Sequence, residues 1–155
     1  MMKKIIIFLF LVTTIYANDE NLKVVYDLTT GDLKTFEKKL IKGIVANKTY
    51  YGNSFQELEV AVIIHGGAYK FFLKDINNSI YKNEKKLVLY YSELKKRVAS
   101  LADTYDVQFY ICKVGLEKRK IKEKSIFNFV KIIQNASIGL INKQHEGFAY
   151  LPVKE

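Results

Sequence analysis

Tryptophan is absent from this 155-residue chain, which also holds one proline, one cysteine and two histidines. A lone cysteine, Cys112, cannot close an internal disulfide, so a disulfide-stapled scaffold is excluded. His65 and His145, even with Glu146 beside the second, leave too few ligands at the usual spacing, and no metal is predicted. Neither G-x-G-x-x-G nor G-x-x-x-x-G-K-[ST] occurs. Gly66-Gly67 with Lys70 is only a fragment of a phosphate loop, and no serine elbow is present. Nucleotide binding, serine hydrolysis and a resident cofactor are therefore not expected. The chain also lacks linkers rich in Pro, Gly or Ser, internal repeats and low-complexity tracts.

Long apolar runs are missing everywhere but at the start. Lys3 and Lys4 precede the unbroken apolar stretch Ile5 to Val12, and Thr13 to Ala17 lead into the polar Asn18-Asp19-Glu20. This is the pattern of a secretory leader with a cut after Ala17, the alternative being an uncleaved anchor. The stretch is shorter than the roughly 18 residues that span a bilayer, so stable membrane insertion is not expected. Residues 1–17 are read as signal peptide and 18–155 as one domain of an exported, periplasmic or secreted protein. Removing the two leader lysines from the 25 Lys and Arg leaves 23 against 16 Asp and Glu. The basic residues are spread over several segments, as on solvated helix faces. An anionic membrane surface or an acidic partner would use the same charge, whereas an exported chain meets little nucleic acid.

Apolar residues make up 49% of the sequence, enough for a core without staples. Lys23 to Leu28 reads as a first strand, after which Asp32 is placed to cap a helix carrying Leu33, Phe36, Leu40, Ile41 and Ile44. Glu59 to Ile64 is continuously apolar after its first residue, as in a central parallel strand covered on both faces. Ala68 to Leu73 suggests a short helix and Asp75 to Glu84 a loop. Leu87, Tyr90, Tyr91, Leu94, Val98 and Leu101 mark an amphipathic helix. Val107 to Ile111 is the next strand, ending at Cys112, and Gly115 to Ser125 is partly helical. Phe129 to Ile133 is a fourth strand, and Ala136 to Gln144 a helix that Gly147 can end. Phe148 to Leu151 closes the chain, and Pro152 confines that strand to an edge or to the sheet's end. The alternation predicts a single α/β domain, a mostly parallel five-stranded sheet with helices on both faces.

Ligands of such sheets bind beyond the carboxyl ends of the strands. Thr29-Thr30-Gly31, His65-Gly66-Gly67 and Cys112-Lys113 all fall there, so one rim should bring His65 and Cys112 together. Cys112 is either a small buried apolar residue or a nucleophile whose thiolate is stabilised by backbone N–H groups and by Lys113, Lys118, Arg119 and Lys120. His65 is either a base or a structural histidine. Gly66 and Gly67 let the backbone approach a ligand or permit a tight turn.

Ile63 to Leu73, containing Ile64-His65-Gly66, resembles the V-V-x-H-G-x-x-x-x-x-L segment of exported DsrE/DsrF-like proteins. Val107 to Cys112, followed by Leu116 and Ile121, resembles the cysteine strand of that family. Val130 to Leu151, with Asn135-Ala136, Gln144 and Gly147-Phe148-Ala149-Tyr150, is similar to its closing strand, helix and G-[YF]-A-Y ending. The resemblance implies an α/β fold that assembles into homo-oligomers, with a cysteine able to carry a persulfide in sulfur relay. That cysteine maps onto Cys112 and the family histidine onto His65, while Lys113 stands where many relatives have a small or amide residue.

The expected function is thus a periplasmic sulfur carrier or sulfurtransferase-like protein. Cys112 would be the nucleophile, and His65, Gly66, Gly67 and Lys113 would shape its site. The partners would be a small sulfur species or a donor or acceptor protein. The alternative is a non-catalytic oligomeric binding or assembly module that uses the same rim. The aromatic stretch Tyr69, Phe71 and Phe72 offers either an oligomer contact or core packing.

Overall fold

The computed structural model describes residues 22–155, so the expected leader and its expected cut after Ala17 lie outside the described residues. Five strands, β1 (Leu22–Leu28), β2 (Leu58–Ile64), β3 (Val107–Cys112), β4 (Val130–Ile133) and β5 (Ala149–Val153), form one sheet in the order β4-β3-β2-β1-β5. Every pairing is parallel. The continuous apolar run of β2 does lie at the centre, where helices cover both faces. Pro152 sits inside β5, an edge strand, where one missing N–H costs no ladder bond on the open side.

The pleat sorts the side chains. Val24, Tyr26 and Leu28 face one layer, and Lys23, Val25 and Asp27 the other. On the first face the Asn47 amide donates to the Tyr26 hydroxyl at 2.8 Å, which places α2 (Lys42–Gly52) there. On the second face Gly139 of α5 (Ala136–His145) lies against Ile63 and Ile133, and Ile63 is the register partner of Asp27. The crossing from β4 to β5 therefore runs over the face opposite α2. Helix α3 (Lys85–Asp103) joins α2 on the first face, and Arg97 of α3 pairs with Glu37.

The first helical segment begins where Asp32 caps it, accepting from the Thr35 N–H at 2.7 Å. It runs as α1 (Leu33–Thr35), widens into a π-helical stretch over Phe36–Ile41, and continues as α2. Phe36, inside the widened turn, stacks on Phe71 with ring centroids 4.1 Å apart and meets Phe72 edge-on at 5.9 Å. Phe72 in turn packs on Phe109 of β3 at 5.4 Å. Tyr69, Phe71 and Phe72, on a 3-10 turn spanning Ala68–Phe72, are completely buried. The aromatic stretch is core packing and presents no surface for an oligomer contact. Burial of this ring cluster is worth about 2 kcal/mol per ring by area. The buried Tyr91 hydroxyl secures the end of that turn, accepting from the Leu73 N–H at 2.8 Å and donating to the Leu73 carbonyl at 2.7 Å.

Candidate functional site at the carboxyl rim of the sheet

The three loops expected on one rim do meet there. The His65 N–H donates to the Leu28 carbonyl at 3.0 Å, and the Gly67 N–H to the Thr29 carbonyl at 2.8 Å. Gly66 has φ +61°, and a Cβ on it would lie 2.7 Å from the Thr29 carbonyl oxygen. A Cβ on Gly67 would meet Gly31 backbone at 2.8 Å. Both glycines are thus required for the loops after β1 and β2 to pack on each other.

Cys112 is the last residue of β3 and the N-cap of α4 (Lys113–Lys118), with φ −72° and ψ 117°. Ile64 is in register with Ile111, so His65 and Cys112 are the next residues along two adjacent strands, whose spacing is about 4.8 Å. Cys112 is 7% exposed. Its carbonyl accepts from the hydroxyl of the buried Tyr69 at 3.0 Å. Burial first, and then the neighbouring Cys112, push the Tyr69 phenol well above its ordinary value. Gly115, one turn into α4, makes room for that phenol: a Cβ there would lie 1.7 Å from the Tyr69 hydroxyl oxygen. Arg119 closes the group, its guanidinium 4.6 Å from the Tyr69 ring centroid and hydrogen-bonded to the Gly66 carbonyl. The Arg119 side chain also donates to the Gly115 carbonyl at 3.3 Å. Cys112, Tyr69, Arg119 and Gly66 therefore form one connected chain.

His65 is anchored from the other side. Its Nε2 lies 2.6 Å from Asp27 Oδ1, and the Tyr150 hydroxyl donates to Asp27 Oδ2 at 2.6 Å. Asp27 projects from β1 onto the same sheet face as Ile63, two residues short of His65, so the contact is a diagonal one between neighbouring strands. The His65 side chain is 30% exposed and that of Asp27 14%. The bond to Asp27, before burial, raises the Tyr150 phenol above its ordinary value, because the carboxylate favours the protonated hydroxyl.

Of the residues singled out in the sequence, Cys112 and His65 fall at adjoining strand ends, and Arg119 lies over Tyr69 with its guanidinium on the Gly66 carbonyl. Lys113 turns away, its amine 3.6 Å from the Glu123 carboxylate. Lys70 is similarly engaged by Glu84 at 2.8 Å. Asp27, Tyr69, Gly115 and Tyr150 escaped sequence reasoning as site residues. A carboxylate inside the apolar run Val24-Val25-Tyr26-Asp27-Leu28 was the available signal for the first of them, since a charge so placed needs a partner. Among the described residues no three His, Cys, Asp or Glu side chains gather as metal ligands, and no helix is long and apolar enough to cross a membrane.

An all-parallel α/β domain with a cysteine and a carboxylate-bound histidine on one strand-end rim defines the class of protein. The chain belongs to the DsrE/DsrF-like family, whose pattern it matches over residues 16–153. It is 31% identical over 147 residues to an uncharacterized protein of Aquifex aeolicus (strain VF5), a match covering 94% of this chain and 62% of that relative. The chain therefore spans less than two thirds of that relative's length. A solved structure of a protein of unknown function from Methanobacterium thermoautotrophicum superposes with a TM-score of 0.60 at 15% identity, covering 85% of this chain and 99% of that one. That likeness is one of fold.

Proposed function

We propose that the protein is a sulfur carrier that accepts sulfane sulfur on Cys112 and passes it to a partner thiol. The observation that carries this reading is the placement of Cys112 and the Asp27-bound His65 at adjoining strand ends, in a family associated with sulfur relay. The Cys112 sulfur attacks the outer sulfur of a donor persulfide. A new S–S bond forms on Cys112, the donor's S–S bond breaks, and the donor leaves as a thiolate that takes up the proton lost by Cys112. The acceptor sulfur is oxidised as the donor's inner sulfur is reduced, so no outside oxidant is consumed. Gly66 and Gly67 shape the site through the loop packing they permit, and Arg119 takes the part assigned in the sequence to Lys113.

Incubation of the purified protein with a polysulfide should add the mass of one sulfur atom, and Cys112→Ser should abolish the addition. No gain, or the same gain in Cys112→Ser, refutes the reading. A second reading, a non-catalytic binding or assembly module, is favoured by the near-complete cover over Cys112. It predicts that a thiol reagent modifies folded and unfolded protein at rates several orders of magnitude apart, and that Cys112→Ala leaves function intact.

We further propose export and self-association. The leader-like residues 1–17 support export, and a mature mass beginning at Asn18 would establish it. Ile138 and Ile141, one turn apart on α5 and 51% and 64% exposed, support association of copies, which light scattering tests directly.

A further inference from the structure

We propose that Asp27 and Tyr150 position His65 to take the Cys112 thiol proton, so that the edge strand β5 completes the site. The inference deepens the sulfur-carrier reading and rests on it for the identity of the incoming sulfur. An ionised carboxylate can only accept hydrogen bonds. With Asp27 Oδ1 at 2.6 Å, Nε2 of His65 must carry a proton, and in the neutral ring Nδ1 keeps the free lone pair. Tyr150 restrains Asp27 by donating to its second oxygen at 2.6 Å. The register puts Asp27, His65 and Cys112 on one sheet face at adjoining strand ends, the placement an adjacent base needs to activate a weak nucleophile.

The titratable and charged groups around this pair come from several elements, with Tyr110 of β3 and Lys131 of β4 on the same sheet face. Asp27 lies on β1, Tyr150 on β5, Tyr69 on the 3-10 turn and Arg119 just after α4. Lys113 at the start of α4 is held by Glu123, and Lys143 of α5 by Glu146. Of these groups only Asp27 is bonded directly to a nitrogen of His65. Asp27 and Tyr150 are positioning residues, since neither would touch the incoming sulfur.

In the reaction His65 Nδ1 accepts the proton as the Cys112 sulfur forms its new bond, and the departing donor thiolate later takes that proton from the imidazolium. Proton and charge therefore both balance within the exchange.

The experiment is the pH dependence of Cys112 alkylation by iodoacetamide, run in parallel with sulfur uptake from polysulfide. Asp27→Asn should slow alkylation at pH 7 by roughly ten- to a hundred-fold, the scale of a misdirected general base. Tyr150→Phe, which keeps the ring and removes one hydrogen bond, should slow it about threefold. Both rates should rejoin the unmutated protein's above about pH 10, where a thiol ionises unaided. A purely structural role would not produce that convergence. Profiles that overlay the unmutated one at every pH overturn the proposal, and Tyr150→Phe decides it alone if Asp27→Asn fails to fold. An unmutated protein that alkylates with this dependence yet gains no sulfur refutes the carrier reading and leaves the proton path standing.

Discussion

Replacing Gly115 by alanine is the sharpest test of how the cysteine rim is built. The new Cβ would lie 1.7 Å from the Tyr69 hydroxyl oxygen and 2.4 Å from the ring carbon that bears it. Tyr69 is fully buried and cannot retreat into solvent. Forcing a methyl group into a filled core costs about 1–3 kcal/mol. Displacing the phenol also breaks its 3.0 Å bond to the Cys112 carbonyl, worth about 1 kcal/mol. Against this, alanine favours the helix over glycine by about 1 kcal/mol. The net expectation is a loss of about 2 kcal/mol, or roughly 8 °C in melting temperature for a domain of this size. Thermal melts followed by circular dichroism measure it. Made in a Tyr69→Phe background, the same change should cost about 1 kcal/mol less, because the closest contact is gone. A Gly115→Ala protein that melts at or above the unmutated temperature would refute the packing argument. Faster alkylation of Cys112 should accompany the loss, as the phenol that covers it is dislodged.

Tyr91→Phe should destabilise by about 2–3 kcal/mol in a denaturant titration, because the single hydroxyl serves both the N–H and the carbonyl of the buried Leu73. Burial also raises the Tyr91 phenol above 10.0. Its contribution is complete below about pH 10 and is lost as pH rises toward the folded value, so alkaline melts should fall less steeply in Tyr91→Phe. Asp32→Ala should lower the melting temperature at neutral pH by removing the cap on α1. The backbone bond from Thr35 holds the Asp32 carboxyl below its ordinary 3.8. The benefit is therefore present above pH 3.8 and lost as pH falls through the lower folded value, where the two melting temperatures should converge.

The parts of the fold that announce themselves in the sequence are those set by local chemistry. The unbroken apolar run of β2 could only be covered on both faces, Pro152 had to sit at an edge or at the sheet's end, and Asp32 had a helix to cap. The rim followed from chain order alone, which is why Cys112 and His65 were found together. What escaped depends on contacts between distant residues. Placing β5 against β1 is a choice of sheet order with no local marker, and it is this choice that delivers Tyr150 to Asp27. Lys113 follows Cys112 immediately, yet the start of α4 directs its amine to Glu123. Arg119, seven residues on, curls back over Tyr69. The π-helical widening at Phe36 likewise answers to the stacking of that ring on Phe71, which no spacing within the segment reveals.

Among the described strands β1 is synthesised first, and it has both neighbours only when β5 has been made. Its Val24 to Leu28 backbone pairs with Ala149 to Val153, and the Thr29 and Thr30 N–H groups both donate to the Val153 carbonyl. A chain cut short before residue 149 would leave this strand with a bare, sticky flank and a carboxylate lacking its tyrosine. Completion of the sheet and of the hydrogen bonding around Asp27 thus both wait on residues 149–153.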